Sequence, residues 1–250
     1  MILPGAKRSL QACIFDMDGV LIDSEGLIRD LFIAAGAQLG YSISNEVYLM
    51  CVGRNRQDSE EIIKEHVSHD FPHDQARAIV DAKLSSLLSS TGWPLKAGVA
   101  ESLNQIVTWG LRRCVATSTA RHLAEQRLES AKIRHYFESI TCGDEVTRGK
   151  PAPDIFILAA KRLALLPEQC IVLEDSEYGA RAALEAGMRC VMVPDLKTPP
   201  ESLRQQLDGI FDDLAGAVRY IQGISPYSSI SDTNSAPNSA TRSVGCCSDK

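Results

Sequence analysis

The feature that most constrains the fold is an alternation of short apolar runs with segments of helical periodicity. Five runs have the length and composition of buried strands, at residues 12–15, 114–116, 139–142, 170–173 and 190–193. Strands that alternate with helices form a parallel sheet that is covered by helices on both faces. The sequence therefore predicts an α/β fold built on a Rossmann-like parallel sheet.

The region between the first and second predicted strands departs from this alternation. From about Ser24 to Trp93 the spacing of apolar residues is helical, and there is almost no strand signal. This segment is too long for a simple crossover. We therefore predict that residues 24–93 form a helical cap domain inserted into a core domain of residues 1–23 and 94–223, where it could cover a ligand. Residues 224–250, which are rich in Ser, Asn, Thr and Pro, are predicted to be a disordered tail.

Acidic side chains follow the first and the fourth predicted strands. Asp16 and Asp18 follow the first, in DMDGV, and Glu174 and Asp175 end the fourth, in LEDSEYG. Residues two apart in an extended strand point the same way, and ligands bind at the carboxyl ends of such strands. Four carboxylates gathered there would repel one another and would need a cation. Oxygen ligands without histidine favour Mg²⁺ over Zn²⁺.

These acids could also have a purely structural role. Asp175 and Ser176 precede a predicted helix and could serve only as its N-cap. A calcium-binding EF-hand loop is excluded, because Leu21 and Leu27 stand where that loop needs Gly and Glu.

Two further stretches suit phosphate binding. Thr117 and Ser118, in VATS, follow the second strand, where hydroxyl and backbone N–H groups could donate to phosphate oxygens, although Thr117 could instead cap the next helix. Lys150, in RGKPAPD, lies between Gly149 and Pro151 just before a helix. A lone lysine is normally a solvated surface group, but here it could offset the carboxylates or hold a phosphate oxygen.

The motifs DMDGV, VATS, RGKPAPD and LEDSEYG, in this order, resemble those of the haloacid dehalogenase superfamily of phosphotransferases. The predicted helical insertion stands where the first cap subclass of that superfamily carries its cap. The resemblance implies that Asp16 is the nucleophile that forms an aspartyl-phosphate, and that Asp18 is the general acid–base.

The resemblance also implies how the remaining motif residues act. Mg²⁺ is expected to bind Asp16, the backbone carbonyl of Asp18, and Asp175, with Glu174 as an accessory acid. The phosphate is expected to contact Thr117, Ser118 and Lys150.

The cap loop VGRNRQDSEE resembles that of beta-phosphoglucomutase and of related sugar-phosphate and phosphoglycolate phosphatases. In that loop an arginine meets the far end of the substrate; Arg56 aligns best and Arg54 is its neighbour, although both could be solvated. The mutase has a histidine where this chain has Ile28, and a lysine after its second motif where this chain has Ala120 and then Arg121.

These departures favour a phosphatase that hydrolyses a small phosphate monoester, such as a sugar phosphate or a similar metabolite. A phosphomutase is the alternative. A binding protein without catalysis would normally have lost motif acids, and they are all present.

Net charge and cysteine content limit which binding partners and which cellular compartment we expect. The net charge of -6 disfavours a nucleic-acid partner, and no run is long and apolar enough for a membrane span or a secretory signal. Most of the eight cysteines lie in or beside apolar runs without metal-ligand spacing. We expect a cytoplasmic enzyme, monomeric or weakly dimeric.

Overall fold

A computed structural model of the protein describes residues 9–225, and within them six strands form one sheet. The strands are β1 (Ala12–Phe15), β2 (Arg112–Thr117), β3 (Ser139–Cys142), β4 (Cys170–Glu174), β5 (Arg189–Met192) and β6 (Gly209–Ile210). The order is β3-β2-β1-β4-β5-β6, and all neighbours are parallel. The predicted α/β class is confirmed. The short strand β6 was not predicted, because two residues carry no periodic signal.

The central strand β1 lies between β2 and β4. Phe15 is level with Val115 and Leu173, so the three strands reach the same edge together. The Asp16 N–H donates to the Leu173 carbonyl at 2.9 Å, which carries the pairing one residue past the strand. Strands β2 and β3 lie on one side of β1, and β4, β5 and β6 lie on the other. Such a reversal of strand order opens a crevice at the carboxyl edge of the sheet.

Ten α-helices accompany the sheet in the described part of the chain. Four form the insertion that follows β1: α1 (Glu25–Gln38), α2 (Asn45–Cys51), α3 (Arg56–His66) and α4 (His73–Leu88). The others are α5 (Val99–Thr108), α6 (Arg121–Ser130), α7 (Asp154–Arg162), α8 (Glu177–Glu185), α9 (Glu201–Arg204) and α10 (Leu214–Ile224). None of these helices combines the length and the apolar composition that a bilayer span requires.

Both faces of the sheet are covered, as the alternation of strand and helix predicts. Cys13 and Phe15 pack into an apolar cluster with α5, α6 and α10, whereas Ala12 and Ile14 pack into a second cluster with α7 and α8. Neighbouring residues of one strand point to opposite faces, which explains why β1 is apolar throughout.

The helices α1 to α4 have an apolar cluster of their own, centred on Phe32, Ile63, Phe71 and Val80. A helical insertion with its own apolar cluster therefore lies between β1 and β2, and its role as a cap domain stays a prediction. Most of the predicted tail, residues 224–250, lies outside the described residues, and Ile224 itself ends α10.

The two connections between the sheet and this helical insertion run side by side. Ile22 forms an antiparallel bridge with Leu95, the Asp23 N–H donates to the Pro94 carbonyl at 2.9 Å, and the Lys96 N–H donates to the Leu21 carbonyl at 3.0 Å. The chain thus leaves and re-enters the core at one place.

Candidate active site

The turn after β1 brings the first and fourth strand ends into contact. Gly19 has a φ of +84°, and a Cβ atom at this position would lie 2.4 Å from Oδ2 of Asp175. Glycine is therefore required here both by the backbone conformation and by the lack of space. The close approach places Asp16 and Asp175 at the same point of the sheet edge.

Lys150 is buried between two of the predicted acids. Its Nζ atom donates to Oδ1 of Asp16, to Oε1 of Glu174 at 2.5 Å and to the Ala116 carbonyl at 3.4 Å. Only 2% of this side chain is exposed, which excludes a solvated surface lysine. Burial acts to lower the pKa of Lys150, but the two carboxylates outweigh it and raise that pKa.

Glu174 fixes the loop that follows β4. Its Oε2 atom accepts hydrogen bonds from the Asp175 N–H at 3.0 Å, the Ser176 N–H at 2.9 Å and the Ser176 hydroxyl at 2.9 Å. The Ser176 hydroxyl in turn accepts from the Gly179 N–H at 3.1 Å and caps α8. The helix cap is therefore Ser176, and the Asp175 carboxylate is not used for it.

Asp16, Glu174 and Asp175 form a buried acidic cluster, in which one carboxylate oxygen of each lies within 4.8 Å of the others. Burial raises the pKa of Asp175 well above its usual value, and Glu174 and Asp16 raise it further. Burial also raises the pKa of Asp16, against the opposing effect of Lys150. No side-chain or backbone donor within residues 9–225 bonds to the Asp175 carboxylate. This cluster could hold a metal ion.

The side chain of Asp18 has a different environment. Its Oδ1 atom accepts from the Ser24 hydroxyl at 2.6 Å and from Nη1 of Arg127 at 2.6 Å, and its Oδ2 atom accepts from the Thr119 hydroxyl at 2.8 Å. The acidic cluster does not include this carboxylate. The Asp18 side chain is therefore bound by hydroxyl and guanidinium donors and lies outside the acidic cluster.

Arg127 and Glu25 were missed by the sequence reasoning. Arg127 lies on the buried face of α6 with Ala124 and Leu128, and a charged residue on an apolar face was the signal that could have identified it. Glu25 begins α1, and burial, with nearby Asp18, raises the pKa of Glu25 to about 7.

Thr117 is buried and does not cap α6. Its hydroxyl accepts from the Thr119 N–H at 3.1 Å, whereas the N-cap position of α6 is Ala120, which makes no side-chain cap. The Arg121 N–H at the start of that helix is bonded by Asp144 instead.

A cavity of about 280 Å³ lies between the sheet edge and the helical cap. Except for Glu174, all the predicted site residues line it: Asp16, Asp18, Arg54, Arg56, Thr117, Ser118, Lys150 and Asp175. The core and the cap thus contribute to one site.

The two predicted cap arginines differ in their contacts. Nη2 of Arg54 donates to the Tyr178 hydroxyl at 2.6 Å, and the Arg54 guanidinium lies 4.1 Å from the centre of that ring. Arg56 pairs with Asp74, and 66% of the Arg56 side chain is exposed. Arg54 therefore connects the cap loop to the core, whereas the ion-pair partner of Arg56, Asp74, lies within the helical insertion.

Comparison with known proteins identifies the family. The model of the haloacid dehalogenase-like hydrolases matches residues 10–187. Fructose-1-phosphate phosphatase YqaB of Escherichia coli is 34% identical over 183 residues, 72% of this chain and 94% of that protein. The phosphorylated carbohydrates phosphatase of Thermotoga maritima is 31% identical over 183 residues, 72% of this chain and 82% of that protein.

The fold comparison agrees with this. The crystal structure of CbbY from Rhodobacter sphaeroides in complex with phosphate superposes with a TM-score of 0.70 at 29% identity, and the match covers 82% of this chain and 95% of that one. The match of the family model over most of the chain, together with these relatives, shows that the protein is a hydrolase that belongs to the haloacid dehalogenase-like family.

Proposed function

We propose that the protein is a Mg²⁺-dependent phosphatase that hydrolyses a small phosphate monoester, a sugar phosphate or a similar metabolite, through an aspartyl-phosphate on Asp16. The observation that carries the proposal is the position of Asp16, which lines the cavity while Lys150 holds one of its two oxygens. The sugar-phosphate substrate is supported by the names of the two relatives in Escherichia coli and Thermotoga maritima.

The acidic cluster fits Mg²⁺. Its donors are all carboxylate oxygens, Asp175 receives no hydrogen bond from the described residues, and burial disfavours the charged forms of Asp16 and Asp175. Asp16, Asp175 and the backbone carbonyl of Asp18 would hold the ion. Glu174 would contribute mainly by holding Lys150 and the loop after β4. A bound Mg²⁺ would offset the negative charge that otherwise repels a phosphate dianion from a carboxylate nucleophile.

In the first step, a carboxylate oxygen of Asp16 attacks phosphorus while the bond from phosphorus to the leaving oxygen breaks. Lys150 holds Oδ1 of Asp16, so Oδ2 is the oxygen that faces no protein donor in the described chain. Thr117, Ser118 and Lys150 line the same cavity and would donate to the phosphate oxygens. Asp18 gives its proton to the leaving oxygen.

In the second step, the ionised Asp18 takes a proton from water, and the resulting hydroxide attacks phosphorus. The bond between phosphorus and Asp16 breaks, inorganic phosphate leaves, and the Asp16 carboxylate is regenerated. Asp18 therefore acts once as an acid and once as a base, which returns the enzyme to its starting state.

Two residues support a phosphatase over a phosphomutase. Arg121, which stands near the lysine position of the mutase, ion-pairs with Glu145 at 2.6 Å and with Glu125 at 3.1 Å. Ile28, which stands at the histidine position, packs in the apolar cluster of the cap. Neither side chain offers the site a free cation for a second phosphate. A binding protein without catalysis is disfavoured by the complete set of acids.

The substrate end that differs between phosphate esters would meet the cap loop. Arg56 is exposed at the cavity wall and would contact this end, whereas Arg54 is already engaged with Tyr178. The proposal includes a core domain of residues 1–23 and 94–223, a cap domain of residues 24–93, and a cytoplasmic location. The six cysteines that the structure describes are unpaired thiols, which suits a reducing compartment.

The test compares Asp16→Asn with the wild type in the release of inorganic phosphate from fructose 1-phosphate and 4-nitrophenyl phosphate, with Mg²⁺ present. We expect less than about one per cent residual activity on either ester, because the amide has a similar shape but is a poor nucleophile. Asp144→Asn is the matched control. Asp144 also follows a strand but bonds to the Arg121 N–H outside the cavity, so its replacement should leave most of the activity.

Two outcomes would contradict the proposal. Activity of Asp16→Asn above that level would mean that another group attacks phosphorus. Isomerisation of a sugar phosphate by the wild type, without net release of phosphate, would favour the mutase.

A further inference from the structure

Arg127 is a buried cation whose position is set by the proposed acid–base. It comes from the second turn of α6, 5% of the residue is exposed, and its Nη1 atom lies 2.6 Å from Oδ1 of Asp18. Within residues 9–225, Asp18 is the one hydrogen-bond or ion-pair partner of the Arg127 guanidinium. Burying a cation costs free energy unless a partner compensates it, so the contact with Asp18 is required for Arg127 to lie there at all.

Three hydrogen-bond donors restrict the orientation of the Asp18 carboxylate. Ser24 and Arg127 share Oδ1, and Thr119 holds Oδ2. The three come from different parts of the chain: Ser24 precedes α1, Thr119 follows β2, and Arg127 is in α6. Hydroxyl groups rotate freely, whereas a guanidinium is planar and rigid, so Arg127 is the donor that best fixes the direction of the carboxylate.

One face of the guanidinium lies over an aromatic ring. The Arg127 guanidinium carbon is 4.6 Å from the centre of the Trp93 ring. Trp93 packs against both the apolar cluster of the core and that of the helical cap. The Arg127 guanidinium therefore contacts Asp18 at its edge and Trp93 on one face.

A second cavity of about 360 Å³ adjoins this arginine. It lies between α4 and α6, and Trp93, Gln126, Arg127 and Ser130 form part of its wall. Asp16 and Lys150 do not line it, but Asp81 and Leu123 line both cavities, so this space adjoins the phosphate site without containing these two residues. It offers small solutes a route to the Arg127 position.

We infer that Arg127 is a positioning residue for catalysis. It orients the carboxyl group of Asp18 so that the proton that Asp18 gives up in the first step reaches the leaving oxygen. This inference rests on the proposed phosphatase function. Arg127 does not line the cavity that contains Asp16 and Lys150, so it acts through Asp18. Its effect must therefore depend on how much protonation the leaving group needs.

The first test compares two aryl esters that differ chiefly in the leaving group. Departure of 4-nitrophenolate needs little protonation, whereas departure of phenolate from phenyl phosphate needs more. In Arg127→Ala we expect kcat/KM for phenyl phosphate to fall by about a hundredfold, and that for 4-nitrophenyl phosphate by less than about tenfold. When Asp18→Asn is already present, adding Arg127→Ala should not lower kcat/KM for phenyl phosphate more than that for 4-nitrophenyl phosphate, because the carboxyl group that Arg127 positions is gone.

The second test restores the missing cation from solution. Guanidinium chloride at a low, non-denaturing concentration should recover phenyl phosphate hydrolysis in Arg127→Ala, since the adjoining cavity gives it access, and sodium chloride at equal ionic strength should not. Arg127→Lys, which keeps the charge but not the planar fork, should show a smaller selective loss than Arg127→Ala. If Arg127→Ala does not fold, Arg127→Lys alone tests the inference. The inference is then overturned if Arg127→Lys lowers kcat/KM for phenyl phosphate no more than that for 4-nitrophenyl phosphate.

The outcomes separate this inference from the proposed function. A wild type that hydrolyses neither ester refutes the phosphatase itself. Equal losses on both esters in a folded variant, or an unchanged selective loss in the Asp18→Asn background, would show that Arg127 only supports the structure, although the phosphatase would stand.

Discussion

Replacing Lys150 by Met tests whether this lysine holds the buried acids together. Its ammonium group is the cation that contacts both Asp16 and Glu174, and all three side chains are buried. Removing one partner from a buried ion pair leaves uncompensated charge and typically costs about 3–5 kcal/mol. Methionine has a similar length, so little of the loss would come from an empty cavity. We therefore expect the free energy of unfolding to fall by about 3–5 kcal/mol at pH 7.5 without Mg²⁺.

The pH dependence of this loss has a definite sign. Without Lys150, the folded-state pKa of Asp16 would rise further above its unfolded value, since burial already raises it and the lysine opposes the rise. A group of this kind adds stability below its unfolded pKa and loses it as the pH rises through the folded pKa. The loss caused by Lys150→Met should therefore shrink between pH 7.5 and pH 5.

Urea unfolding followed by circular dichroism, with EDTA and then with millimolar Mg²⁺, measures these effects. Mg²⁺ should stabilise Lys150→Met, because a ligand that binds only the folded state shifts the equilibrium toward it. Lys161→Met is the control; this lysine is exposed in the last turn of α7, and its replacement should change stability by less than about 0.5 kcal/mol. A loss below about 1 kcal/mol for Lys150→Met, or one that grows as the pH falls, would refute the reasoning.

Two further predictions concern the cap loop and an ion pair near β3. Arg56→Ala should lower kcat/KM for the sugar phosphate, a loss of about 1.5–3 kcal/mol in transition-state stabilisation, and leave kcat/KM for phenyl phosphate nearly unchanged, because only the former has a distal polar group. Arg54→Ala should lower both, since Arg54 contacts Tyr178 rather than substrate, and equal losses from Arg56→Ala would contradict its assigned role. Hydrogen bonds from Arg162 and Arg121 lower the pKa of Glu145 from 4.5 to about 2. Glu145→Gln should therefore reduce thermal stability at pH 7, and the difference from wild type should narrow as the pH falls from about 4.5 toward 2; a constant difference would be evidence against this ion pair.

The sheet and the catalytic edge could be predicted because both follow from short-range patterns. All five predicted strands match the structure within two residues at each end, and the fifth, residues 190–193, is shifted by one residue from Arg189–Met192. A continuous apolar run indicates a strand that is buried on both faces of the sheet. The residue that follows such a run lies at the carboxyl edge of a parallel sheet. The placement of Asp16 and Asp175 follows from this directly.

Contacts between distant segments could not be predicted in the same way. Arg127 is 109 positions from Asp18 in the chain, and Arg54 is 124 positions from Tyr178. A helical position gives the face on which a side chain lies but not the partner it meets across the fold. This is why the sequence identified Arg54 and Arg56 as cap residues without distinguishing Arg54, which contacts Tyr178, from the exposed Arg56.

The paired connections at Ile22–Leu95 and Asp23–Pro94 have a consequence for how such a chain can diversify. Because the two ends of the insertion are hydrogen-bonded to each other, a short turn between them could keep these backbone hydrogen bonds. The entropy of closing a loop grows only with the logarithm of its length, so inserted segments of very different size impose similar costs on the sheet. The helical insertion can thus be lengthened, exchanged or excised as a module, while the strands that carry the acids keep their register.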